Sequence, residues 1–116
     1  MTRARAERQG RRGEMLAAWW LRLHGWRIVA RRQRVSAGEV DLIARRGATL
    51  AFIEVKWRRR AADLDTAIDE WRLRRVAAAA SMIAPRLARA NENLRIDVML
   101  LAPWHRPRHL TNVWQP

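Results

Sequence analysis

Residues 38–60, GEVDLIARRGATLAFIEVKWRRR, decide the reading of this chain. The stretch alternates twice around a turn. In residues 39–45, Val40, Leu42 and Ala44 fall on one side, and Glu39, Asp41 and Ile43 on the other. Arg46-Gly47-Ala48 is the turn. In residues 49–57, Leu50, Phe52, Glu54 and Lys56 share one face, while Ala51, Ile53, Val55 and Trp57 share the other. Two alternating runs around a glycine turn predict an antiparallel hairpin. Glu54 and Lys56 then stand ~7 Å apart on one face. A register that pairs the strand centres brings Asp41 close to Glu54, because neighbouring strands run ~4.8 Å apart.

Two carboxylates on adjacent strands, with open positions between them, suit Mg²⁺ (or Mn²⁺), which takes oxygen ligands and keeps several waters. Such an ion can activate a water and stabilise negative charge on a phosphodiester. A nearby ammonium can orient that water or stabilise the charge that develops. The ordinary alternative is a surface ion pair between Glu54 and Lys56, which contributes little. Two features weigh against it. The carboxylates lie inside the apolar runs VDLI and FIEVK, where unpaired charge is costly. Lys56 is also the one lysine among 24 basic residues, so arginine serves wherever a generic positive charge will do. Lysine differs from arginine in being a compact ammonium whose pKa moves readily.

Outward from the hairpin, the order is helix, three strands, helix, strand. Residues 14–24 read as a helix with Leu16, Trp19, Trp20 and Leu23 at i, i+3, i+4, i+7. Ala17, Ala18 and Leu21 form a second, smaller apolar face on the side of Glu14, so the helix is expected to be sandwiched. Gly25 closes it. Residues 26–30 are a short strand, followed by the basic connection RRQRVSAG at 31–38. Asp63 is the expected N-cap of a second helix reaching about Ala84, with Leu64, Ile68, Trp71, Val76, Ala79, Ala80 and Ile83 on its apolar face. Pro85 is expected to disturb or end it. Residues 94–101 are the last strand. Residues 1–12 read as a flexible basic arm, a frayed helix being the alternative, and 103–116, with three prolines, as an irregular tail. That leaves one domain over 13–102, of the α/β class, with a mixed sheet covered by helices.

Composition sets the limits. With 116 residues the chain holds one domain and one real core. It has no cysteine, which excludes disulfides, thiolate metal sites and a cysteine nucleophile. The net charge of +13 makes affinity for nucleic acid hard to avoid at low salt. No apolar run approaches the ~20 residues that span a bilayer. The run at 15–21 lacks the form of a signal peptide, so the expected compartment is the cytoplasm, with no membrane partner.

The motifs GEVDLI and FIEVKWR resemble the PD-(D/E)xK nuclease superfamily. More narrowly, they resemble the YraN-like family of small bacterial proteins, grouped by fold with archaeal Holliday-junction resolvases. Gly13-Glu14, Ala17, Leu21 and Gly25 are similar to that family's opening helix, and Arg95-Ile96-Asp97-Val98 to its late strand. The resemblance implies a restriction-endonuclease-like fold. It implies Asp41 and Glu54 as metal ligands, Lys56 as the catalytic lysine, and the Val55 backbone carbonyl as a further ligand. Glu14 corresponds to a helix glutamate that some resolvase-like nucleases add to the metal site. The chain departs from the family pattern twice. Asp63-Leu64-Asp65 stands where an aromatic-Gly pair is usual, and Arg72 stands where a lysine is usual. An arginine there can still hold phosphate.

The functional expectation is a Mg²⁺-dependent or Mn²⁺-dependent nuclease acting on DNA phosphodiesters, including branched or structured DNA. Arg58, Arg59, Arg60 and Arg72 would hold the phosphate backbone, with Arg12 and its neighbours Arg3, Arg5, Arg8 and Arg11 as further clamps. The alternative is a non-catalytic nucleic-acid-binding protein that keeps the fold; a basic adaptor for an acidic protein is a third reading. Symmetric cleavage of two strands would call for a homodimer. His105 and His109 stand four apart, but Pro107 between them argues against a helical metal pair. His24 reads as a capping or surface residue. Trp57 is expected to pack on the sheet face away from Lys56. Asp97 and Arg95 are expected to form a structural ion pair. Glu39 is either a strand-edge charge or an additional carboxylate near the site.

Overall fold

A computed structural model describes residues 3–64 and 68–114. Residues 65–67 of the expected second helix, the ends of the arm and tail, and the side chains of Arg3 and Arg5 lie outside the described residues. The elements are α1 (Arg3–Leu23), β1 (Arg27–Val35), β2 (Gly38–Arg46), β3 (Thr49–Trp57), a 3₁₀ turn (Ala61–Leu64), α2 (Glu70–Leu87), β4 (Asn93–Leu101) and β5 (Arg108–Leu110). The five strands form one sheet in the order β1-β2-β3-β4-β5. Every neighbouring pair is antiparallel except β3–β4, which is parallel and joined through α2. The hairpin forms as expected, with Arg46 opposite Thr49 and Leu42 opposite Ile53.

β3 is the centre of the core, and its alternation explains the layering. Leu50 and Phe52 belong to an apolar cluster with Leu73, Val76, Ala79 and Ile83 of α2. Ala51 and Ile53 belong to a second cluster with Ala17, Ala18 and Leu21 of α1, against which Val55 and Trp57 also pack. The sheet is therefore covered by one helix on each face. β2 follows its alternation from Leu42 onward, but Val40 joins the α2 cluster beside Ile43 instead of siding with Leu42 and Ala44. The β2–β3 backbone pairing runs only as far as Leu42 and Ile53. Among the described residues, no helix is long and apolar enough to cross a membrane.

Several boundaries differ from the expectation. The helix begins at Arg3 rather than at residue 14, so most of the expected flexible arm is helical. Its Arg, Ala, Glu and Gln are good helix formers, and no proline interrupts them. The buried side of α1 is the Ala17/Ala18/Leu21 face alone. Leu16, Trp19 and Leu23 are exposed, and only Trp20 of that stripe is partly buried. A close approach of helix to sheet selects small residues: a methyl group built at Gly13 would lie 3.5 Å from the Trp57 Cβ.

The basic connection after residue 30 is strand as far as Val35, with a register shift between Ile28 and Ala30. α2 starts at Glu70, capped by the Asp69 carboxylate, which accepts from the Trp71 N–H; Asp63 instead lies in the 3₁₀ turn. Ile68 and Trp71 are exposed, and Trp71 lies under the Arg75 guanidinium at 5.1 Å. Pro85 is accommodated inside the last turn of α2, where its missing N–H removes one intrahelical donor, the one that would face the carbonyl of solvent-exposed Ser81.

The tail contributes β5, which pairs with β4. Fully buried Asp97 locks it there. Asp97 accepts from Arg95 through both carboxylate oxygens at 2.9 Å, from His109 at 2.7 Å and from the Asn112 N–H at 2.9 Å. Burial pushes this carboxyl up, but the bonds from His109, Arg95 and Asn112 outweigh it and hold the pKa below the ordinary value. His109 is thus engaged by Asp97, and His105 bonds the Pro103 carbonyl, so the two do not form a pair.

Candidate active site

The site forms where the β2–β3 ladder stops. Past Leu42, the Asp41 side chain takes over the pairing, and its Oδ2 accepts the Val55 N–H at 2.7 Å. In an extended strand a residue's N–H and C=O project to the same side, so the Val55 carbonyl is turned toward β2 as well. Glu54 and Lys56 leave β3 together, by strand alternation. Glu54 is buried, yet its Oε1 accepts from Arg72 Nη2 at 2.9 Å and lies 3.5 Å from Lys56 Nζ. The Asp41 and Glu54 carboxyls lie close enough that each charge opposes the other. The sheet therefore brings Asp41, Glu54 and Lys56 together at one open end. They line a cleft of about 330 Å³ together with Glu14, Val55, Arg58 and Arg72.

The electrostatics of this cleft are unbalanced at Asp41. Its carboxyl is pushed up to about 8, first by burial and then by repulsion from Glu54; Glu14 adds to the push, and the Val55 N–H opposes it. A proton thus covers negative charge that a divalent cation would otherwise cover. The donor set fits such an ion: two hard carboxylates on neighbouring strands, with a backbone carbonyl beside them. Among the described residues, no group of three acid or histidine side chains is drawn together tightly enough for a preformed cage. Glu14, on α1, is instead engaged by Arg32, whose Nε donates to Oε2 at 2.9 Å and to Oε1 at 3.3 Å.

The remaining expected residues divide. Arg58 and Arg72 line the cleft, and the Arg72 guanidinium is held charged mainly by the field of Glu54. Arg59, Arg60 and Arg12 are exposed and do not line it; Arg60 is paired with Asp63 at 3.7 Å. Glu39 lies beside Arg72 and Arg75 in a smaller adjoining pocket, and it is 3.5 Å from Arg34. Trp57 packs toward α1, as strand alternation requires, while its edge reaches the cleft. Arg11, expected as a phosphate clamp, lines a neighbouring basic pocket together with Arg32 and Arg34, which pattern reading missed. The signal for them was weak, because RRQR carries no apolar alternation.

The fold is similar to that of Hjc, a Holliday junction resolvase from the archaeal hyperthermophile Archaeoglobus fulgidus. The TM-score is 0.59 at 19% identity, covering 86% of this chain and 73% of that one. That likeness, with the mixed five-stranded sheet between two helices, shows a restriction-endonuclease-like fold.

Sequence comparison narrows it further. The model of the uncharacterised protein family UPF0102 matches residues 13–101, and the chain belongs to that family. This is the YraN-like group that the two-strand motif resembles. A UPF0102 protein of Sphingopyxis alaskensis is 73% identical over 116 residues, covering 100% of both chains. One of Rhizorhabdus wittichii is 70% identical over 112 residues, covering 97% of this chain and 95% of the relative.

Proposed function

We propose that this protein is a divalent-metal-dependent nuclease acting on DNA phosphodiesters, with branched or structured DNA as its substrate. The observation that carries the reading is the pairing of Asp41 and Glu54 at the broken end of the β2–β3 ladder, with Lys56 beside them and an arginine rim around them. A resolvase-type fold and the donor chemistry of the cleft support it.

Asp41, Glu54 and the Val55 carbonyl would hold Mg²⁺ or Mn²⁺. When bound, the ion supplies Lewis-acid stabilisation of the phosphate and lowers the pKa of a water. The residues of the chain do the rest. Glu54 is fixed by Arg72 and Lys56, so its carboxylate is oriented before any ligand arrives. Asp41 is fixed by the Val55 N–H. Lys56 Nζ, 3.5 Å from Glu54, would orient the attacking water and stabilise charge on the phosphoryl oxygens. Arg58 and the exposed part of Arg72 present donors to the flanking phosphates.

The test is cleavage of duplex, single-stranded and four-way DNA with Mg²⁺ or Mn²⁺. Cleavage is expected, falling roughly 10²–10³-fold in Lys56→Ala, the scale of losing one charge-stabilising donor. A parent that binds DNA and cuts none of the three substrates would leave only the non-catalytic binding reading. A Lys56→Ala variant as active as the parent would remove Lys56 from the mechanism.

A further inference from the structure

Arg32 stands out twice. It lies inside β1, yet its φ is 47°, in the left-handed region that strands avoid. Its flanking residues pair across β2, Arg31 with Leu42 and Gln33 with Val40, so the kink falls directly opposite Asp41. A regular strand residue there would follow the alternation of its neighbours. The kink instead delivers the guanidinium to Glu14 on α1. A non-glycine residue held in this conformation must be held by its surroundings, and such outliers cluster at functional positions.

Both bonds to Glu14 use Nε alone. Among the described residues, neither Nη1 nor Nη2 of Arg32 donates to another group, and its side chain is 42% exposed. It borders a pocket of about 300 Å³ with Arg11, Arg34 and Glu39, and this pocket shares Gly10 and Glu14 with the acid cleft. A planar guanidinium can grip a carboxylate along one edge and offer its Nη groups to a second anion.

We infer that Arg32, Arg34 and Arg11 form a binding site for a backbone phosphate of the nucleic-acid strand, adjoining the acid cleft. Arg32 ties that phosphate to Glu14, which is the shared wall of the two pockets. The inference rests on the proposed action on nucleic acid, but it concerns binding and is tested without catalysis.

The experiment is fluorescence anisotropy with a labelled DNA duplex in EDTA, over a series of salt concentrations. It compares the parent with Arg32→Gln, Arg32→Gly and the charge-matched Arg86→Gln, which lies in the last turn of α2, at the far end from Arg72. Arg32→Gly guards against misfolding, since glycine adopts a φ of 47° without strain; its Tm should equal or exceed that of the parent. Both Arg32 variants should bind roughly tenfold more weakly and lower the salt slope by about 1, the signature of one lost phosphate contact. Arg86→Gln should keep the slope of the parent. Arg32 variants that fall on the Arg86→Gln line overturn the site while leaving the nuclease reading intact. A parent that binds no DNA even at low salt overturns both. Calorimetry with inorganic phosphate supplies a further arm: Arg32-dependent heat with an unchanged DNA salt slope would mark a site for free phosphate and overturn the strand assignment.

Discussion

At Asp41, one short side chain does the work of a backbone carbonyl and of a proton store at once. It accepts the Val55 N–H where the ladder ends, and burial beside Glu54 pushes its carboxyl up to about 8 from 3.8. The folded protein therefore holds a proton that the unfolded chain gives up above 3.8. Metal-free stability should fall as pH rises between about 4 and about 8. Asp97 has the opposite sign. Its pKa is lowered, so its contribution is present above the ordinary value of 3.8 and is lost as pH falls through its folded pKa.

Divalent-cation binding must displace the Asp41 proton, so calorimetry in buffers of different ionisation heat should show release of about one proton below pH 8, with affinity tightening toward that pH. Asp41→Asn can still accept from Val55 and donate to Glu54. It should stabilise the metal-free protein at pH 9 by on the order of 1–3 kcal/mol and abolish the proton-linked binding. Unchanged proton release in that variant would remove Asp41 from the ligand set. Asp41, Glu54 and Lys56 were legible in the sequence because charged residues inside apolar runs, on a hairpin of readable register, leave few arrangements open. Arg32 was not legible, because its role depends on a backbone kink that RRQR does not announce.

Among the elements, β3 and α1 show where pattern reading succeeds and where it does not. β3 meets a different helix on each face, so both sets of alternating residues are fixed by burial and its register follows directly. On α1, hydrophobic size points to the wrong face: Leu16, Trp19 and Leu23 make the larger stripe, yet Ala17, Ala18 and Leu21 meet the sheet. Close packing against β3 rewards small side chains, and a count of apolar positions does not contain the distance between layers. Urea denaturation separates the two faces. Leu21→Ala should cost roughly 2–5 kcal/mol, while Leu16→Ala should change stability by no more than about 0.5 kcal/mol. Equal losses would mean that the exposed stripe is covered in solution. α2 shows a different limit. Asp63 and Asp69 are both good caps, and only packing selects Asp69. β5 escaped notice because three residues held by a buried Asp97 need no apolar pattern of their own.

Over the whole molecule, composition announced a polycation but not its arrangement. Three elements bring basic residues around the acid pair: Arg11 from α1, Arg32 and Arg34 from β1, Arg72 and Arg75 from α2. The result is an acidic centre inside a basic rim, with the rim suited to a phosphate chain and the centre to a small cation. Only the folded sheet places them so, because these residues are far apart in the chain. The proposed chemistry needs a divalent ion at that centre. The most direct measurement is anomalous diffraction from crystals grown with Mn²⁺. One strong peak is expected within ~2.0–2.3 Å of carboxylate oxygens of both Asp41 and Glu54, ordinary oxygen-ligand distances for such an ion. Saturating Mn²⁺ with no peak between those two side chains would contradict it.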